Sequence, residues 1–189
     1  MTGQLTASTS HLLTAEEFSR LPGDGCHRYE LVKGKVIKEP PPGIEHGDLA
    51  LRLGRFLQQY VDEHRLGLVT VESGFVLERG PDTVRGPDVA FVSTARLPPP
   101  EARRGYGAMA PDLVVEVVSP SDRASKVEAK AREYLAAGSR LVWVVGPPTR
   151  SVAVYRPDGS SRLLRESDPL DGEDVLPGFR RRVADIFAP

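Results

Sequence analysis

The stretch "PDLVVEVVSPSD", residues 111–122, constrains the fold more than any other part of the chain. Its apolar run from Leu113 to Val118 predicts a short strand that is buried on both faces. Glu116 interrupts this run. Residues 114, 116 and 118 share one face of such a strand, so the carboxylate lies between two valines. An unpaired buried carboxylate costs several kcal/mol, and the chain should therefore supply a compensating positive charge.

The next segment, "SKVEAKAREYLAAG" at residues 125–138, predicts a helix. Ser125 and Glu128 have the spacing of a capping box, and Gly138 is placed to end the helix. Residues at helical spacing form an inward stripe: Val127, Lys130, Ala131, Tyr134 and Leu135. A lysine on that stripe is unusual, and we expect Lys130 to meet Glu116. The strand "RLVWVV" follows, so the two strands around the helix should be parallel.

The rest of the chain predicts an α/β fold with a mixed central β-sheet flanked by helices. The segment "LTAEEFSRLP" predicts a short helix with Thr14 as its N-cap and Glu17 three residues on, and "RYELVKGKVIKE" predicts a hairpin with Lys33-Gly34 as its turn. The longest helix is predicted over 45–65. The segment "LVTVESGFVLE" predicts a strand pair or one bent strand with Gly74 inside it. Further elements are strands at "DVAFVS", "SVAVYR" and "SSRLLRE", and a closing helix at "FRRRVADIF". We expect one domain over residues 11–189, preceded by a flexible tail at 1–10.

Composition excludes several classes of protein. The chain has 189 residues, 40% of them hydrophobic and 27% charged, with a net charge of -1, so no global basic field marks it as a nucleic-acid binder. A single cysteine excludes an internal disulfide bond and is typical of a reducing compartment. The sequence has neither a secretory signal nor a membrane-spanning apolar stretch, and the expected location is cytoplasmic.

A second carboxylate is placed as unusually as Glu116. Asp88 opens the strand "DVAFVS" directly after Pro87. If this strand neighbours residues 112–118, Asp88 stands near Glu116, and two close carboxylates favour a cation between them. Mg²⁺ prefers a few carboxylate oxygens and several waters. Two acids and Lys130 around such an ion suit phosphodiester hydrolysis, in which the lysine orients water or offsets developing charge.

These segments also resemble a known group. "GPDVAFV", "PDLVVEVVSPSD" and "KVEAKAREYLAAGSRLVWVV" are similar to the PD-(D/E)XK nuclease superfamily and, more closely, to the Uma-type family of restriction-endonuclease-like proteins. The resemblance implies a restriction-endonuclease-like fold and an endonuclease that acts on DNA with Mg²⁺ (or Mn²⁺). By resemblance, the functional residues are the metal ligands Asp88 and Glu116, the catalytic Lys130, the auxiliary acid Glu30 and the site-adjacent His46. The superfamily motif places its lysine two residues after the acid, where this chain has Val118, and the resemblance includes a lysine relocated to Lys130.

Other interpretations stay open at this point. Glu116 and Lys130 could form a structural ion pair, and the fold could serve as a catalytically idle module that binds nucleic acid or protein. A hydrolase of another phosphate ester is a third alternative. Arg103 and Arg104, in the loop "RLPPPEARRGYGAMAP", are candidate phosphate contacts or simply solvated residues. A homodimer is a further expectation, because cutting both strands of a duplex takes two active sites.

Overall fold

The structure, a computed structural model, describes residues 11–23, 25, 27–119 and 122–188. The predicted tail at 1–10 and the single cysteine, Cys26, lie outside the described residues. The α-helices are α1 (Ala15–Phe18), α2 (Ile44–His64), α3 (Ala124–Ala136) and α4 (Val183–Phe187). The strands are β1 (Arg28–Val32), β2 (Lys35–Glu39), β3 (Gly67–Val71), β4 (Phe75–Glu78), β5 (Thr83–Arg85), β6 (Val89–Ser93), β7 (Leu113–Val117), β8 (Leu141–Gly146), β9 (Ser151–Tyr155), β10 (Ser161–Leu164), β11 (Pro169–Asp171) and β12 (Arg180–Arg182).

The largest sheet has six strands in the order β10-β9-β8-β7-β6-β3. Within it, β7 pairs with β8 in parallel, while the other neighbours pair antiparallel. The parallel pair flanks α3 in the chain, as the β–α–β pattern predicts. The mixed α/β fold that the sequence indicates is therefore confirmed.

Strand β7 is covered on both faces because its residues are apolar on both. Its odd-numbered residues join the main core, to which α2 contributes Leu49, Leu53, Leu57 and Val61. Its even face carries Val114, which packs with Ala131 and Tyr134 of α3. The carboxylate of Glu116 thus emerges beneath α3, on the face where the sequence places it.

A second, four-stranded antiparallel sheet has the order β2-β1-β5-β4. The hairpin β1–β2 turns at Lys33 and Gly34, both with positive φ (50° and 74°), as a two-residue hairpin turn of this twist requires. β1 contacts β5 through the pair Leu31 and Val84, while every residue of β2 is exposed. This sheet carries the hairpin to the mouth of a cleft beside α3.

Three local predictions need correction. α3 begins at Ala124 with Arg123 as its N-cap and no side-chain cap, so Ser125 lies inside the helix and forms no capping box with Glu128. The segment "LVTVESGFVLE" forms two strands, but they do not pair with each other: β3 lies in one sheet and β4 in the other. In "FRRRVADIF" the arginines form β12 before the helix begins at Val183. None of the described helices combines the length and the apolar character that crossing a membrane requires.

Candidate active site

Glu116 is held by two side chains of α3. The amine of Lys130 lies 3.0 Å from Glu116 Oε2, and the hydroxyl of Tyr134 donates to Oε1 at 2.8 Å. Lys130 and Tyr134 are four residues apart and share one face of the helix. The predicted contact between Glu116 and Lys130 is present in the structure, and the buried carboxylate has both its oxygens satisfied.

Asp88 stands beside Glu116 because of the register of β6 and β7. Val89 pairs with Val115, so the antiparallel ladder continued by one residue brings Asp88 opposite Glu116. The backbone N–H of Val117 donates to Asp88 Oδ2 at 2.7 Å, which fixes the carboxylate against β7. The side chain of Asp88 is only 2% exposed.

Glu30, in β1 of the four-stranded sheet, lies beside Lys130. One of its oxygens, Oε1, lies 3.1 Å from the Lys130 amine, and the other, Oε2, accepts from Arg85 at 2.6 Å. Arg85 also donates to Glu133 of α3. Lys130 is therefore shared between an acid of each sheet, Glu30 and Glu116, and Arg85 ties Glu30 to the helix.

Two further groups surround Asp88. Arg28, at the start of β1, donates from Nη1 to Asp88 Oδ1 at 2.9 Å. His46, in the first turn of α2, has its Nε2 3.0 Å from the same oxygen. That contact is not in hydrogen-bonding geometry, and the buried Nε2 has no hydrogen-bond partner among the described residues. Its Nδ1 lies 3.4 Å from the hydroxyl of Ser119.

The acids differ in their ionisation. Burial, together with the nearby charges of Asp88 and Glu30, raises the pKa of Glu116 to about 7 despite the opposing attraction of Lys130. Burial also disfavours ionised Asp88, but His46, the N–H of Val117 and Arg28 together hold the pKa of Asp88 below its usual value. Burial would lower the pKa of Lys130, but the carboxylates of Glu116 and Glu30 raise it. At neutral pH the site thus combines a charged aspartate, a charged lysine and a glutamate near its titration point.

These side chains lie in an open cleft of about 1630 Å³. The hairpin and residues 40–43 form one wall, and α3 forms another. The volume exceeds the roughly 300–1,000 Å³ of pockets for small ligands. The ion-paired network in the cleft has five carboxylates, those of Glu30, Glu72, Asp88, Glu116 and Glu133, and three permanent cations, those of Arg28, Arg85 and Lys130. With every acid ionised, this network carries two negative charges in excess. The whole lining of the cleft, which also includes Lys33, Lys38, Arg123, Lys126, Glu39, Glu78 and Asp122, carries one.

The donor set fits a hard divalent cation that keeps several waters. The register of β6 and β7 sets Asp88 opposite Glu116, and the charge excess favours a cation. Nε2 of His46, which has no hydrogen-bond partner among the described residues, lies 3.0 Å from Asp88 Oδ1. No group of three or more His, Cys, Asp and Glu side chains in the described part of the chain is arranged to enclose a metal ion. Mg²⁺ is commonly bound through one or two carboxylates, so two ligands at an open cleft suffice.

The structure brings together five of the residues proposed from the sequence: Asp88, Glu116, Lys130, Glu30 and His46. Their functional roles stay predictions. Arg103 and Arg104 lie in a 3-10 helix, Pro100–Arg104, and neither lines the cleft. Arg103 donates to the carbonyl of Pro98. A role for the two arginines in phosphate binding also stays a prediction.

Sequence reasoning missed three partners of the acids: Arg28, Arg85 and Tyr134. A signal existed for two of them. Arg28 alternates with Glu30 along β1 and so shares its face, and Tyr134 follows Lys130 by one helical turn on the same stripe. Arg85 had no comparable signal, because its partner acids, Glu30 and Glu133, are 55 and 48 residues away.

Comparisons with known proteins identify the family of the chain and support its fold. The sequence model of the Uma2 family, described as "Putative restriction endonuclease", matches residues 15–184. Among solved structures, that of "a putative nuclease belonging to DUF820" from Anabaena variabilis superposes with a TM-score of 0.81 at 23% identity, covering 93% of this chain and 97% of that one. At this identity the likeness establishes the fold alone. No curated protein matches the chain.

Proposed function

The chain belongs to the Uma2 family, and from that premise and the geometry of the cleft we propose that it is a metal-dependent endonuclease that hydrolyses phosphodiester bonds of DNA. Family and fold indicate a nuclease of the restriction-endonuclease-like kind, and such nucleases generally use divalent metal ions. The choice of DNA and of Mg²⁺ or Mn²⁺ belongs to the proposal.

One observation carries the proposal: two carboxylates and a lysine from three different elements converge in an open cleft. Asp88 precedes β6, Glu116 lies in β7 and Lys130 lies in α3. A structural ion pair would need only Glu116 and Lys130. The third group, Asp88, raises the pKa of Glu116, so it makes the pair less stable rather than more. An arrangement that keeps two acids together at this cost is typical of a functional site.

Each residue of the site would have a separate role in the reaction. Asp88 and Glu116 would hold the metal ion, with His46 beside them. When bound, the ion supplies Lewis-acid activation of the phosphate and of a water molecule. Lys130 points into the same cleft, where its ammonium orients that water or offsets negative charge on the phosphate. Glu30 and Tyr134 hold Lys130 and Glu116 in place.

The direct test is a cleavage assay on supercoiled and linear DNA, with Mg²⁺, with Mn²⁺ and with EDTA. Wild-type protein should cut with either metal and fail in EDTA. Asp88→Asn and Lys130→Gln should each lower the rate at least about a hundredfold, since each removes a group that acts on the reacting phosphate. Glu128→Gln is the matched control, because Glu128 lies on α3 outside the cleft in a surface pair with Arg132.

A negative result would favour a different function. If purified protein binds DNA but cuts no substrate with either metal, the idle binding module becomes the better explanation. RNA and a small phosphodiester, assayed in parallel, separate the DNA substrate from the alternatives. Equal activity of the wild type and Asp88→Asn would remove the cleft from the mechanism.

We also propose that the active form is a homodimer, since one cleft can serve one strand of a duplex at a time. Light scattering of the wild type, with and without a DNA duplex, tests this. A monomer that linearises supercoiled DNA in a single event would contradict it.

A further inference from the structure

The two oxygens of Asp88 are not equivalent. Oδ2 accepts the backbone N–H of Val117 at 2.7 Å, a contact fixed by strand β7. Oδ1 faces the cleft, and two side chains crowd it: Arg28 Nη1 at 2.9 Å and His46 Nε2 at 3.0 Å. A metal ion bound by Asp88 would therefore meet these two groups at Oδ1.

The two groups would respond differently to a cation. A histidine nitrogen can present its lone pair to a metal ion, because the neutral ring carries one. A guanidinium has no acceptor and stays charged, so it can only repel the ion. Arg28 is the group that a metal ion at Oδ1 has to displace.

Glu72 offers Arg28 a second ion-pair partner. Its Nη1 is 3.7 Å from Glu72 Oε1, and the Glu72 side chain is 55% exposed at the rim of the cleft. The Arg28 side chain is itself 26% exposed, so it can turn outward without crossing the core. Lys130 is more constrained, since it is shared between Glu30 and Glu116, and Arg85 lies between Glu30 and Glu133.

We propose that Arg28 is a resident counter-ion of the metal position: it neutralises Asp88 in the metal-free protein, competes with the divalent cation, and moves to Glu72 when the cation binds. The inference rests on the proposed function, since it assumes that Asp88 is a metal ligand. It assigns a role to a residue outside the acid–acid–lysine set. In the loaded site the guanidinium stays at the cleft wall beside Glu72, where its remaining N–H donors can bind a phosphate oxygen.

The test measures Mn²⁺ affinity, without nucleic acid, from the electron paramagnetic resonance signal of the free ion. Arg28→Gln should bind Mn²⁺ roughly tenfold more tightly than wild type, because the variant lacks the charged hydrogen bond that competes with the ion. A factor of roughly ten is the lower end of the effect expected for such a bond. Glu72→Gln should bind it about threefold more weakly, because the displaced guanidinium loses an exposed partner. Arg132→Gln, which breaks a surface pair outside the cleft, should leave the affinity unchanged.

Opposite shifts in these two variants distinguish competition from a structural role. If Arg28 only stabilised the fold, Arg28→Gln would bind Mn²⁺ equally or more weakly, and that result would overturn the inference. Should Arg28→Gln fail to fold by circular dichroism, Arg28→Lys replaces it. Lysine cannot donate to Asp88 and to the carbonyl of Gly86 at once, as Arg28 does. It should shift the affinity in the same direction by a smaller factor.

Asp88→Asn separates this inference from the proposed function. If this variant binds Mn²⁺ as well as the wild type does, Asp88 is no ligand, and both proposals fail. If it loses binding while Arg28→Gln gains none, the metal site stands and the counter-ion role of Arg28 alone is refuted.

Discussion

Replacing Glu116 with glutamine should change how the stability of the metal-free protein depends on pH. The amide keeps the shape of the side chain: its oxygen can still accept from Lys130, and its NH2 group can donate to the Tyr134 hydroxyl, which is able to accept. The amide cannot ionise, so it resembles the protonated form of Glu116. Lys130 retains a carboxylate partner in Glu30, 3.1 Å away. The variant therefore removes one titration while leaving the packing nearly intact.

The magnitude follows from the pKa of Glu116, which folding raises from an ordinary 4.5 to about 7. Below pH 4.5 the group is protonated in both states and contributes nothing. As the pH rises from 4.5 to 7, the unfolded chain ionises first and the folded protein loses stability; above 7 the loss is complete. The difference between the two values corresponds to about 3 kcal/mol, most of it developed between pH 5 and 8. Asp88 and Glu30 have lowered pKa values, so their ionised forms stabilise the folded protein, and this contribution to the free energy of unfolding is lost only at more acidic pH.

The assay is urea unfolding of wild type and Glu116→Gln at several pH values from 5 to 8, in EDTA. The free energy of unfolding of the variant, relative to wild type, should increase by about 2 to 3 kcal/mol across this range. Glu128→Gln, an exposed control, should show no such trend. A parallel pH dependence in wild type and variant would refute the reasoning. It would mean that Glu116 stays ionised at pH 5, as the structural ion-pair interpretation requires.

The remaining predictions concern the same cleft. Lys130→Gln should bind Mn²⁺ at least as tightly as wild type, since the lysine is a competing cation at Glu116 and not a ligand, while turnover falls; a loss of metal binding measured by paramagnetic resonance would contradict this. Tyr134→Phe should lower the free energy of unfolding by about 1 to 2 kcal/mol in urea, because a buried carboxylate loses a hydrogen bond; unchanged stability would place the hydroxyl outside the network. Mg²⁺ at a hundred times its Kd should stabilise the protein by about 2.7 kcal/mol. The accompanying rise in Tm should be absent in Asp88→Asn, and an equal rise would locate the ion elsewhere.

Local patterns were sufficient to predict the centre of the fold. The apolar run around Glu116, the stripe that contains Lys130 and the position of Gly138 predict a strand, a helix and a second, parallel strand, and all three are present. The capping box failed for a local reason that the pattern does not contain. Asp122 accepts from the N–H of Ser119, and the chain enters the helix at Ala124, before Ser125.

Partners from distant strands could not be predicted in the same way. Glu116 and Lys130 lie in consecutive elements, and each is anomalous for its position, so each indicates the other. Arg28 and Asp88 are 60 residues apart; Arg28 lies in β1 of the four-stranded sheet, and Asp88 directly precedes β6 of the six-stranded one. Nothing in the alternation of β1 specifies which carboxylate its arginine meets, because that depends on how the two sheets pack.

Because residues of both sheets form the site, local opening of the hairpin β1–β2 affects the site as well. The hairpin β1–β2 contributes Arg28 and Glu30, yet it joins its sheet through the pair Leu31 and Val84, and β2 is exposed along its whole length. An exposed edge strand such as β2 belongs to the part of a protein that opens at low free-energy cost. When the hairpin detaches, Asp88 and Lys130 each lose one partner at the same moment. Amide exchange at residues 28–39 should thus report the integrity of the cleft, and it should be faster than exchange in β7, which is covered on both faces.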